Sequence, residues 1–166
     1  MLDPYPKLYR LIFGLLEPAG LLGGAAFAIL FPNQFHHAYL GSGWLGDASR
    51  GSQAGQKGVL VASGMGTCRL IIGVMSSVLL PTFQKTLKGQ PQLHETLLRS
   101  YLGCLLIGDF AHTFVTLYYT PADVRWHPFS RWTLLLWGNI AGTIFPNFAR
   151  LAWFAGIGRR GRAVQL

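Results

Sequence analysis

The chain has 166 residues and a mass of 18.3 kDa, the size of one domain. Hydrophobic residues make up 51% and charged residues only 12%, about half the share in a soluble globular domain, and the mean hydropathy is +0.34. This balance excludes disorder and argues against a soluble enzyme. It also makes the net charge of +8 a matter of basic flanks beside membrane spans, not a nucleic-acid surface.

A bilayer core needs about 20 largely apolar residues per helix. Four windows qualify, at about 11–31, 58–80, 97–119 and 132–157. Each is too long for a strand, and none alternates polar with apolar as barrel strands do. They predict an all-α integral membrane protein: an antiparallel four-transmembrane-helix bundle forming one domain over 1–166.

The first window carries Glu17 followed by Pro18, and Gly20 and Gly24 have small-xxx-small spacing that favours close helix approach. Pro18 removes a helix donor and frees the Gly14 carbonyl, giving either a kink or a polar lining. Residues 32–56 read as a loop, holding Tyr39, Trp44 and the pair His36-His37, which alone is weak evidence for a metal site. The second window has Arg69 near its middle and is thinned by Gly64 and Gly66. A loop over 81–94 carries Lys85 and Lys88, and the third window then holds Asp109 and His112. Residues 120–130, with two prolines and Trp126, form the last loop. The fourth window contains Trp137, Asn139, Asn147 and Arg150, with Gly138 and Gly142 again at small-xxx-small spacing and Pro146 freeing the Gly142 carbonyl. Cys68 and Cys104 lie in apolar runs, where cysteine behaves as a small hydrophobe; no disulfide is expected.

Basic residues set the direction. Lys7, Arg10, Lys85, Lys88, Arg159, Arg160 and Arg162 share one side, against Arg50, Lys57, Arg125 and Arg131 on the other. The excess predicts both termini in the cytoplasm. The first apolar run is long, contains Glu17-Pro18 and has no clear small-residue cleavage site, so it reads as a span, not a cleavable leader. The endoplasmic reticulum is the expected membrane.

A charge at bilayer depth costs at least ~2.5 kcal/mol, so several in one small bundle need a reason. At 1.5 Å per residue, Glu17, Arg69, Asp109, His112 and Asn139 fall at depths that allow one central chamber. Asp109 and His112 are spaced i, i+3 and share a helix face, as a proton-handling pair would. Two carboxyl groups in different surroundings can act as acid and base. Glu17 is then the complement of Asp109, and Arg69 orients one of them by a bidentate contact. The same residues have plainer readings. Arg69 with Glu17 or Asp109 is also an ion pair that fixes helix register, and His112 a backbone hydrogen-bonder. Trp137 is packing or a ligand platform; Asn139 and Asn147 bridge helices or touch substrate. Arg150, near a helix end, is expected to snorkel to the headgroups. No phosphate-cradling loop, H-E-x-x-H helix or G-x-S-x-G elbow is present, so neither cofactor nor metal is expected.

Four segments together carry a resemblance: Glu17-Pro18, Asp109-Phe110-Ala111-His112, Trp137-Gly138-Asn139 and the run Asn147 to Gly158. Over roughly Tyr9 to Gly158 the chain resembles a fungal four-helix membrane domain found in secondary-metabolite pathways. The small membrane epoxide hydrolases and cyclases of aurovertin- and citreoviridin-type polyketide pathways are similar, as in plan are the emopamil-binding, sterol-isomerase-like proteins. The resemblance implies a cofactor-independent enzyme opening a lipophilic, polyketide-derived epoxide by hydrolysis or cyclisation. Asp109, His112 and Glu17 would be catalytic, and Trp137, Asn139 and Asn147 would orient or bind; Arg69 joins the orienting set on the charge argument alone. The partners implied are an apolar small molecule and membrane lipids. A double-bond isomerase and a non-catalytic binding or assembly protein are the alternatives. Arg69 matches neither family pattern.

Overall fold

Pro18 shapes the first helix before anything packs on it. It has no N–H to give the Gly14 carbonyl, and its ring would strike that carbonyl in an unbroken α-helix. A computed structural model of the chain describes residues 5–40 and 53–159. In it, α1 spans Lys7–Leu30 and contains a π turn at Ile12–Leu16, where the Glu17 N–H donates to the Ile12 carbonyl. The extra residue in that turn rotates the remainder of the helix by about 100°. Tyr9 is buried before it, Ile12 and Phe13 at its start, and Pro18, Ala25 and Ala28 after it.

The expected loop after the first span begins as a helix, α2, over Pro32–Leu40. Proline is tolerated in a first helical turn, and Phe35 is buried against Ala28 and Ala62. Then come α3 at Gln53–Thr86 and α4 at Pro91–Tyr119. The expected loop 81–94 therefore shrinks to residues 87–90. Pro81 costs α3 one backbone bond without ending it, and Pro91 opens α4 in its first turn, where no donor is needed. Two short helices, α5 at Ala122–Arg125 and α6 at Pro128–Arg131, occupy the last connection. Finally α7 covers Leu134–Phe154, capped by the Thr133 hydroxyl, which accepts from the Leu136 N–H at 3.1 Å. Trp44 and Arg50 of the first connection, and Arg160 and Arg162 of the basic tail, lie outside the described residues.

The four long helices run antiparallel. At one end the Tyr9 hydroxyl donates to the Ile157 carbonyl at 2.6 Å. Tyr5, Tyr9, Phe13, Leu80, Leu98, Leu102 and Trp153 gather there, joining the start of α1, the end of α3, the start of α4 and the end of α7. At the other end, Ala28, Phe35 and Ala62 form one cluster and Val124, Leu136 and Ile140 another. The Thr133 hydroxyl ties α7 to the Tyr39 carbonyl there at 2.9 Å.

Among the described residues three helical stretches are long and apolar enough to cross a membrane: Lys7–Leu30, Lys57–Thr86 and Pro91–Tyr119. The fourth expected span, α7, has the length at 21 residues, but Asn139, Asn147 and Arg150 interrupt its apolar character, and all three are buried. The surface is the reverse of a soluble protein's. Leu60, Ile107, Phe114 and Phe148 are exposed while Ser76, Thr120, Asn139, Asn147 and Arg150 are buried.

Small residues do bring helices together, though mostly not at the spacings singled out from sequence. A Cβ on Gly66 of α3 would lie 2.9 Å from the Ala28 Cβ and 3.3 Å from the Ala25 carbonyl of α1. Gly73, two turns on, faces Leu22 and Leu21 just as closely. Gly20, Gly138 and Gly142 face open space, and Gly24 instead clears room for the Arg69 guanidinium, 2.8 Å from its ideal Cβ. Gly66→Ala is therefore expected to force α1 and α3 apart and cost about 1–3 kcal/mol, whereas Gly138→Ala should be neutral. Thermal melts of the two variants in detergent check this; equal melting temperatures would contradict the seam.

Candidate functional site

Asn147 and Arg150 stand i, i+3 on α7 and so point the same way, toward α1 and α4. Arg150 is completely buried. Its Nη1 donates to Asp109 Oδ2 at 2.7 Å and to Asn147 Oδ1 at 3.1 Å, and its Nη2 donates to Glu17 Oε1. The Phe13 ring lies 5.5 Å from the guanidinium carbon. Arg150 thus does not snorkel to the headgroups. Two carboxylates supplied by neighbouring helices hold it inside more strongly than the interface would attract it. Glu17 Oε2 and Arg150 Nε are buried with no hydrogen-bond partner among the described residues. The side chains of Arg150, Glu17 and Asp109 are 0%, 9% and 26% exposed, so Asp109 is the most open member.

One guanidinium faces two carboxyl groups. With both ionised, the cluster carries one uncompensated negative charge in a poorly hydrated interior. A single proton shared between Glu17 and Asp109 removes that charge.

A second cluster forms around Asn139, toward the other end of α7. Arg69 Nη2 donates to Asn139 Oδ1, which fixes the amide because a guanidinium can only donate. Asn139 Nδ2 then donates to the Tyr39 hydroxyl at 2.6 Å. His112 Nε2 sits 3.0 Å from Nδ2 and 3.2 Å from Oδ1 of the same amide. Nε2 accepts from the amide N–H in one tautomer and donates to the amide oxygen in the other. Burial pushes the Tyr39 phenol up, opposed by its hydrogen bonds to Thr116 and Asn139 and by the Arg69 charge. Between the clusters the Thr113 and Thr143 hydroxyls meet at 3.0 Å. Together these groups make a polar line along the α4–α7 contact.

Several expected roles change. Arg69 does not orient a carboxylate; it reaches Asn139, and Arg150 holds both acids. Asp109 and His112 share a face but bond to Arg150 and Asn139, not to each other. Asn147 supports Arg150. Trp137 stands away from the polar line: its Nε1 donates to the Pro128 carbonyl at 3.2 Å, and its ring packs on Trp132 and Phe129. His36 lies against Gly58, and burial, then His37 beside it, pushes its imidazole down. Among the described residues no three His, Cys, Asp or Glu side chains gather as metal ligands. Tyr39, Thr113 and Thr143 were not expected at the site. The i, i+3 spacing of Asn147 and Arg150 was a sequence signal that could have placed Arg150 inside.

Fold and site define an all-helical protein with an apolar exterior and an ionisable interior line. The chain belongs to a family described as a domain of unknown function, DUF7704, whose model matches residues 3–160. No match is found among curated proteins or among solved structures.

Proposed function

We propose that this is a four-span membrane enzyme that opens a lipophilic epoxide by acid–base chemistry, without a cofactor, in fungal secondary metabolism. The fourth span is α7, whose polar side chains turn inward while Ile144, Phe145, Phe148 and Leu151 face out. Lys7, Arg10, Lys85, Lys88 and Arg159 collect at one end of the bundle, which is assigned to the cytosol, with the endoplasmic reticulum as the membrane.

The observation that carries the reading is the Glu17–Arg150–Asp109 cluster, two carboxyl groups around one buried cation. An epoxide needs a proton delivered to its ring oxygen as a nucleophile attacks carbon. The protonated carboxyl gives that proton while one ring C–O bond breaks. Water, or a hydroxyl of the substrate, forms the new C–O bond and passes its proton to the ionised carboxyl. Water yields a diol and an internal hydroxyl yields a cyclic ether; either way the cluster ends with one proton, as it began. Asp109, the more open acid, faces the substrate, with His112 one turn along α4 as an auxiliary proton carrier.

Membranes containing the protein, incubated with a long-chain epoxide in ¹⁸O-labelled water, test this. A labelled diol or an isomeric cyclic ether, absent from membranes without the protein, is the expected product. A migrated alkene would turn the reading into that of an isomerase, and unchanged substrate across a panel of epoxides would remove it.

The complete burial of Arg150 favours one further reading, in which the cluster only clamps α1, α4 and α7 and the protein binds or assembles without catalysis.

A further inference from the structure

Arg69 lies near the middle of a long apolar helix, where a cation is costly without a counter-charge. The four carboxylates among the described residues are all engaged by other arginines. Glu17 and Asp109 hold Arg150, Glu95 holds Arg99 and Arg159, and Asp123 holds Arg131. The groups around Arg69 are neutral: the Asn139 amide, the Tyr39 phenol beyond it and the Phe35 ring at 5.8 Å. Gly24 of α1 is shaped to this guanidinium, since a Cβ there would come within 2.8 Å of Nη1. The chain thus builds a place for a positive charge and, among the described residues, sets no carboxylate against it.

We propose that Arg69, framed by Tyr39, His112 and Asn139, binds the carboxylate of a lipophilic ligand inside the bundle. One guanidinium carries one positive charge, matching a carboxylate, whereas a doubly charged phosphate monoester would leave an excess. A phospholipid headgroup is held at the bilayer surface, roughly 15 Å from mid-depth in a 30 Å core. The planar fork of arginine pairs with a carboxylate through two parallel hydrogen bonds, while Asn139 keeps the guanidinium in place. The inference shares with the proposed function the bilayer setting, an apolar ligand and the neighbouring His112; no step at Asp109 enters it.

The full chain in nanodiscs of phosphatidylcholine, titrated with a dansyl-labelled undecanoic acid and separately with its methyl ester, tests the idea by binding alone. Energy transfer from tryptophan to dansyl is the readout. The acid is expected to bind at least tenfold tighter than the ester, and Arg69→Gln should reduce that preference to within twofold. Asn139→Asp places an internal carboxylate beside Arg69 and should abolish the preference as well, which keeps the test open if Arg69→Gln does not fold. Equal binding of acid and ester by the unaltered chain overturns the proposal, as does a preference that survives either substitution. Because no turnover is measured, failure of the epoxide chemistry leaves this result unchanged.

Discussion

Arg150→Met is expected to be more damaging than a substitution in the glycine seam, costing about 3–5 kcal/mol. It removes the one cation between Glu17 and Asp109 and leaves two buried acids facing each other without a donor. Either both stay protonated, forfeiting the charge-assisted bonds, or the ionised form bears the full cost of desolvation. The same physics predicts a rescue. In the triple variant Glu17→Gln, Asp109→Asn, Arg150→Met no charge is buried, and most of the lost stability should return. Intrinsic tryptophan fluorescence during heating, in matched detergent, reads both outcomes. A single variant as stable as the parent would mean that the ion pairs contribute little. A triple variant no better than the single one would mean that Arg150 matters for shape rather than charge. Activity separates the two functional readings. The triple variant should be inert if the cluster is catalytic and competent if it is only a clamp.

Asp109→Asn should lower turnover of an epoxide substrate by about 10²- to 10⁴-fold, the usual worth of a positioned general acid or base. The substitution keeps the shape and an oxygen to accept from Arg150 Nη1, so helix packing should survive. It also leaves Glu17 and Arg150 as a one-to-one pair, and the shared proton is no longer required. The effect should therefore fall mainly on kcat, with little change in KM. Rates within threefold of the parent would release Asp109 from the chemistry and leave His112 as the next candidate.

The extent of the helices was largely legible from hydropathy, but counting residues along them put Glu17, Asp109 and Asn139 in one chamber, where the structure has one cluster on Arg150 and another on Asn139. Direction around the helix axis was not legible. Counting gives height, but the partner a side chain meets depends on rotation, and the π turn before Glu17 changes the rotation of α1 partway along. Arg69 and Arg150 are the clearest case. From sequence the central arginine was assigned to the carboxylates and the one near the end to the headgroups; the structure gives the carboxylates to Arg150. Apolar windows also stop at proline, whereas α3 continues past Pro81 and α2 begins at Pro32, because a helix tolerates one missing donor when packing offsets it. Tyr39 fell in a segment read as loop, and only its helix brings its hydroxyl to Asn139.

The bulge at Ile12–Leu16 makes the register of the first rod as important as its composition. Excising a single residue there would straighten the rod and turn the aromatic ring set at Tyr9 and Phe13 about a quarter of a circle away from the carboxyl at Glu17. Anchoring to Ile157 and capture of Arg150 could then no longer be satisfied together, although no chemically important side chain had been altered. In this segment, length variation should be tolerated far less than substitution.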